Sequence, residues 1–481
     1  MTGVPPARLA RLVGDLTGER PPLYAALAVR LRMLIGDGRV PVGARLPAER
    51  ELALALGASR ATVTAAYRRL REDGWADARQ GAGTWTRLPA GPATGAWVPG
   101  PEQTGVLDLV HAAAGAPPQV HTAFAAALEE LPRLLPGHGY HPFGLPELRA
   151  RVADRFTARG LPTRPEQVLV TGGALHGISV VLEALTGPGD RVLTEHPSYP
   201  NALDAVAARG ATAVPVPVDA EDPAALPAAL LRAARQTAPR LAYLMPDFQN
   251  PTGLLLDAEQ RRRAAASLAQ TGTVALVDET LAEVSLDVDP PPPFAALAPS
   301  GSTVTTGTLS KAVWGGLRVG WLRADDEELV RRLGTVAVRS HLANPVLEQL
   351  AACHLLEHLD DVLAGHRARL VARRTVLVDA LARQLPDWQV RVPPGGLVLW
   401  CRLPGISSSA LAAAADARGL RVAPGPRFST GHAFDDRLRL PYTQPADVLT
   451  AGVTRLAEAV GDLDAGGGAR SLRTPPERVV V

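Results

Sequence analysis

Lysine is almost missing from this chain. Of its 50 Lys and Arg side chains in 481 residues, every one is arginine except Lys311. A composition that has replaced lysine wherever a guanidinium serves keeps its one amine where a guanidinium cannot. Arg holds its proton to about pH 12 and beyond, whereas a lysine can be brought toward neutrality and form a Schiff base with an aldehyde. Cysteine is scarce as well: Cys353 and Cys401 stand far apart, outside any CxxC or Cys/His pattern, which argues against a disulfide framework and a thiolate metal site. No apolar run approaches the roughly 18 residues of a membrane span, and the N-terminus lacks a charged head followed by an apolar signal core. A cytoplasmic protein with no metal and no membrane partner is expected.

What is present is ordinary in bulk and uneven in detail. With 46% hydrophobic and 20% charged residues the chain is globular, and its length implies two or three domains. The net charge of +2 hides an asymmetry, because residues 1–88 carry 14 Arg against 8 Asp and Glu. A small basic head on a mildly acidic body points to a polyanion partner for the head alone. Residues 88–105, rich in Pro, Gly and Ala, read as a semi-extended linker, and residues 466–481 read as a flexible tail. The expected domains are therefore 1–87, the linker, and a body over 106–465.

Within the head, two short helices with a tight turn are predicted between Leu46 and Leu70. Pro47 suits a first helical position, Leu52 and Leu56 form an inner face, and Gly57 stops the helix. Ser59 then caps a second helix in which Val63, Tyr67 and Leu70 fall at core spacing and Arg60, Thr62, Arg68 and Arg69 face outward. Gly74 to Thr86 add two strands around a glycine turn, a wing beside a polar recognition helix. The runs Arg45-Leu-Pro-Ala-Glu-Arg50, Ser59-Arg60-Ala-Thr62 and Arg79-Gln-Gly-Ala-Gly-Thr84 closely resemble the winged helix-turn-helix of GntR-type bacterial regulators. The resemblance implies double-stranded operator DNA as partner, with Arg45, Arg50, Ser59, Arg60 and Thr62 near bases and phosphates and the wing from Arg79 to Thr84 in the adjacent groove.

In the body, apolar runs at Val168–Thr171, Arg191–Thr194, Ala211–Val216, Leu241–Met245, Val274–Asp278 and Thr303–Thr306 alternate with helical stretches. This pattern predicts an α/β fold with a parallel sheet covered on both faces, followed by a smaller α+β C-terminal domain. Ligands in such sheets collect beyond the carboxyl ends of the strands, where Gly172-Gly173, Asp278 and the Lys311 turn fall. A pyridinium ring needs a carboxylate at its nitrogen, which Asp278 can provide, and a donor to its ring oxygen, for which Asn250 is the candidate. A phosphate needs backbone amides and a cation, which Gly172, Gly173, Thr308, Ser310 and Arg318 can supply.

Residues 106–462 resemble the fold-type I, class I/II aminotransferases, whose Schiff-base lysine lies in an S-x-S-K-like turn with an Arg seven residues later. The resemblance implies pyridoxal 5'-phosphate on Lys311, Tyr199 stacked on its ring, Tyr140 reaching the phosphate of the partner subunit, and Arg439 on an effector carboxylate. It also implies a homodimer, with which a head-to-tail, domain-swapped arrangement is compatible. One departure stands out: the family usually has Tyr three residues after the ring-nitrogen Asp, where this chain has Leu281. That loss counts against efficient transamination, and Thr280 is placed to recover part of the missing hydrogen bond.

Head and body together resemble the MocR group of regulators, in which the body senses pyridoxal phosphate or an amino compound joined to it. A DNA-binding regulator is the expected function. A working aminotransferase with a fused DNA-binding domain, and a scaffold that has lost the cofactor, are the competing readings.

Overall fold

The computed structural model describes residues 4–14, 23–36, 39–41, 44–72, 74–79, 83–87, 105–430 and 433–465. The linker expected at 88–105 lies outside the described residues apart from Gly105, and so does the tail at 466–481.

The head packs four helices, α1 (Pro6–Val13), α2 (Leu23–Gly36), α3 (Glu49–Leu56) and α4 (Arg60–Glu72), against a two-stranded wing, β1 (Ala76–Arg79) and β2 (Gly83–Thr86). Leu27, Leu31, Leu52, Val63 and Leu70 are at most 1% exposed. Burying each such side chain contributes about 1.5–3 kcal/mol, so the head has a core of its own. Gly57 closes α3 in the left-handed region at φ 63°, and the Ser59 hydroxyl accepts from the Thr62 amide at 3.0 Å, capping α4. Pro47 does not occupy the first helical position. The helix starts at Glu49 after Ala48, whose amide donates to Glu51 at 3.2 Å, and the Pro47 carbonyl instead accepts from buried Tyr67 at 3.0 Å.

The body carries two sheets. Strands β3 (Leu107–Leu109), β4 (Val168–Thr171), β5 (Arg191–His196), β6 (Thr212–Pro217), β7 (Leu241–Leu244), β8 (Val274–Asp278), β9 (Thr303–Thr308), β10 (Gly320–Ala324), β11 (Gln389–Arg391), β12 (Val398–Arg402), β13 (Leu420–Pro424) and β14 (Arg437–Pro441) come in that order along the chain. Seven form the large sheet in the order β4-β10-β9-β8-β7-β5-β6, with helices between its parallel strands.

The sheet is not wholly parallel. Strand β10, which the apolar runs do not mark, lies antiparallel between β4 and β9, with Gly320 opposite both Thr171 and Thr308. The Lys311 turn joining β9 to β10 is too short for a parallel crossover, which takes a dozen or more residues. A second sheet, β11-β12-β14-β13-β3, forms the smaller domain. Its last member is also unforeseen in the sequence: β3, directly after the linker, pairs parallel with β13 through Leu107–Leu420, Asp108–Arg421 and Leu109–Val422.

Candidate functional site

The parallel order of β7, β8 and β9 brings their carboxyl ends to one edge of the sheet, so groups remote in sequence converge there. Asp278 ends β8 and is 7% exposed. Its Oδ2 accepts from the Tyr243 hydroxyl at 2.7 Å, while Oδ1 accepts from the Thr280 amide at 2.9 Å and from the Thr280 hydroxyl. Burial raises its pKa, and these hydrogen bonds and the Lys311 charge oppose the rise.

Lys311 Nζ donates to the Ala112 carbonyl at 3.0 Å. Burial, then the Arg439 charge, pull its pKa down to about 8, with Asp278 acting the other way. The amine is therefore far easier to deprotonate than an ordinary lysine. Arg439, on β14, is 3% exposed; it donates to Asn250 Oδ1 at 3.3 Å and to the Val110 carbonyl, and lies 5.0 Å above the Phe428 ring. Burial lowers its pKa to about 10, still cationic at neutral pH.

The stretch after β4 forms a cradle. Gly173 adopts φ 101° at the start of the helix Ala174–Leu185, and a Cβ there would stand 2.6 Å from Arg318 Nη2. Arg318, itself left-handed at φ 52°, donates to the Gly172 carbonyl at 2.8 Å. A helix N-terminus with a guanidinium closing it is an anion site. Thr308 and Ser310, 6% and 8% exposed, have their hydroxyls 2.9 Å apart, and Thr308 also donates to Val319 O at 2.7 Å.

Tyr199 caps the helix Pro200–Ala208; burial, then the Asp278 charge, raise its pKa to about 12. Lys311, Asp278, Asn250, Arg439, Tyr199, Arg318 and the glycine loop are thus gathered through contacts or mutual charge effects. Tyr140 is not gathered with them: it is 57% exposed, and its ring lies 5.6 Å from His138.

One expectation changes. The Thr280 hydroxyl does not stand in for the missing tyrosine, because it is committed to Asp278. Leu281 packs against the core of the smaller domain. Sequence reasoning also passed over three contributors, Tyr243, the Ala112 carbonyl and Phe428; His176, where the family often has Gln, accepts at Nδ1 from the Gly172 amide at 3.0 Å. Tyr243 carried a signal, a hydroxyl in the middle of a buried strand; the carbonyl carried none.

In the head, Arg50, Ser59 and Arg60 are exposed on α3, its turn and α4, while Thr62 is half-buried, its hydroxyl 2.8 Å from that of Ser59. Arg45 is exposed beside the wing, bridged to Trp85, and a Cβ on Gly83 would meet its Nε at 3.1 Å. Thr84 accepts from Arg71 at 3.4 Å, and Arg79 ends β1 with its side chain outside the described residues. Among the described residues Arg60 makes one ion pair, at 3.7 Å with Glu49 at the surface, which is worth little and lets the guanidinium be recruited elsewhere. Replacing Arg60 with Ala is expected to weaken operator binding by about 1–3 kcal/mol and to relax base preference at one position, measured by gel shift on variant sites.

These features define a class: a pyridoxal-phosphate-dependent transferase fold of type I carrying a winged helix, for which the glycine cradle, Asp278 and Lys311 supply a fitting donor set. The sequence profile described as aminotransferase class I and II matches residues 113–460, and that described as bacterial regulatory proteins, gntR family, matches residues 23–85. The chain belongs to the class I and II aminotransferase family and, with its GntR head, is a MocR-type regulator. The HTH-type transcriptional regulator TauR of Rhodobacter capsulatus is 28% identical over 90% of this chain and 96% of its own length. The probable rhizopine catabolism regulatory protein MocR of Rhizobium meliloti is 28% identical over 76% of this chain and 78% of its own. Among solved structures, the α-aminoadipate aminotransferase LysN of Thermus thermophilus, complexed with N-(5'-phosphopyridoxyl)-L-leucine, matches with a TM-score of 0.68 at 28% identity, over 75% of this chain and 94% of that one.

Proposed function

We propose that this chain is a homodimeric regulator whose body holds pyridoxal phosphate on Lys311 and reports an amino-compound effector to the DNA-binding head. The observation that carries the reading is the set of half-buried Lys311 with buried Asp278 and Arg439 in one chain with a winged helix. When bound, pyridoxal phosphate supplies an aldehyde that amines can join and a ring that draws electrons. The chain's own residues decide how that chemistry is used. Gly172, Gly173, Thr308, Ser310 and Arg318 would hold the phosphate, Asp278 the ring nitrogen, Asn250 the ring oxygen and Tyr199 the ring face. Lys311 offers an amine that loses its proton near pH 8, and Arg439 offers a fork for a carboxylate.

The regulator reading is preferred to catalysis because the ring oxygen would have Asn250 as its remaining side-chain donor. Leu281, half-buried, packs against the core of the smaller domain, and the Thr280 hydroxyl is spent on Asp278. Proton transfer at a substrate carbon requires a positioned base and a tuned nitrogen, so amines should bind without completing a cycle. Dimerisation would bring Tyr140 of one protomer to the phosphate site of its partner, and a crossed arrangement would seat each head on the other body.

Amino compounds are expected to change the visible spectrum of the loaded protein and its affinity for operator DNA, and cognate DNA to change effector affinity by the same factor. The check is paired titration, with steady-state assays over a panel of amino donors and keto acids. Turnover at about 1 per second or faster, the range of ordinary enzymes, would replace this reading with a fused aminotransferase.

A further inference from the structure

Tyr243 stands apart in the large sheet. It lies inside β7, 1% exposed, among buried aliphatic neighbours, yet its hydroxyl is aimed at Asp278 Oδ2 at 2.7 Å. The opposite oxygen, Oδ1, is taken by the amide and hydroxyl of Thr280. The carboxylate is thus gripped from two sides, one donor set local in sequence and the other from the neighbouring strand.

We propose that Tyr243 is a positioning residue for the cofactor, its hydroxyl pinning Oδ2 so that the Asp278 carboxylate keeps both its direction and its charge toward the ring nitrogen. The proposal rests on the reading that pyridoxal phosphate occupies this site. In so buried a place a carboxylate keeps its charge chiefly through the hydrogen bonds it accepts, and those to charged groups are the strong ones. Without the Tyr243 donor Asp278 is harder to keep ionised, the ring nitrogen opposite it carries less positive charge, and the Lys311 nitrogen holds its proton to higher pH.

Other groups bear on the same titration. Glu195 on β5 is 1% exposed and accepts from the Met245 amide and Gln249 Nε2, both at 3.2 Å; burial raises its pKa to about 8. Tyr199 and Lys311 also bear on Asp278 and Tyr243, Arg439 and Arg318 bear on Lys311, and His366 reaches the Lys311 backbone. Glu195→Gln therefore accompanies the test, to separate that acid's share of the curve.

The experiment is a spectral pH titration of full-length protein loaded with pyridoxal phosphate. Tyr243→Phe keeps the ring and removes only the hydroxyl, and should raise the midpoint by roughly half a unit to one unit. The control is Tyr442→Phe, which removes an equally buried hydroxyl that donates to Gly395 O at 3.1 Å and should leave the midpoint where it is. If Tyr243→Phe matches wild type, or if the control moves as far, the proposal falls. Should Tyr243→Phe not fold, Thr280→Val loosens the other oxygen and carries the same expected rise, with an unmoved midpoint again overturning the proposal. Failure of wild type itself to show a visible band would instead sink the cofactor reading.

Discussion

Lys311→Ala is expected to abolish covalent retention of pyridoxal phosphate outright. No other lysine exists in the chain, so the N-terminal amine alone could substitute. Borohydride treatment and then peptide mass spectrometry should find the adduct on Lys311 in wild type and nowhere in the variant. A retained adduct in the variant would refute the assignment. The pKa of about 8 adds a pH signature: covalent capture by wild type should quicken as pH rises toward 8 and level off above it.

The same depressed pKa bears on stability, and its sign is fixed. Between about pH 8 and the unperturbed 10.5, the unfolded chain holds a proton on Lys311 that the folded chain has released. Stability of the cofactor-free protein relative to Lys311→Ala therefore rises with pH through that window. Denaturation of both proteins at either end of it is the check.

Arg439→Ala is expected to cost the most in effector recognition. The guanidinium is buried, lies 5.0 Å from the Phe428 ring and is anchored to Asn250 and Val110, so its fork is set before a ligand arrives. Removing one partner of a buried charge pair costs about 2–5 kcal/mol, roughly 30-fold or more in affinity. Arg439→Lys keeps the charge without the fork and should recover only part of it. Amines lacking the carboxylate should be bound as well by the variants as by wild type, read from the spectrum of the loaded protein. Equal losses for amino acids and plain amines would show that Arg439 acts on the fold rather than on the ligand.

How much of this was visible in the sequence depended on where each group takes its geometry from. Asp278 and Lys311 sit at or just beyond strand ends, where the strand itself fixes their place, so pattern sufficed. Gly57 and Ser59 were legible because a left-handed stop and a hydroxyl cap are local chemistry. Pro47 was misplaced by two residues, since Tyr67, twenty positions on, decides what its carbonyl does. Strand β10 escaped because its direction is set by the length of a turn rather than by its apolar content. The Tyr243–Asp278 contact spans adjacent strands, and the commitment of Thr280 to Asp278 is a choice between two acceptors. Neither leaves a periodic trace. Tyr140 belongs to a different case, its expected role being defined across a dimer.

The strand β3 joins the linker to the ligand site with almost nothing between. Its first residue comes soon after the linker, and its continuation supplies the Val110 carbonyl to Arg439 and the Ala112 carbonyl to Lys311. A displacement of β3 along its own axis would strain the whole β3–β13 ladder together. The segment that follows the DNA-binding head in sequence is thus also the one whose carbonyls hold the cationic ends of Arg439 and Lys311.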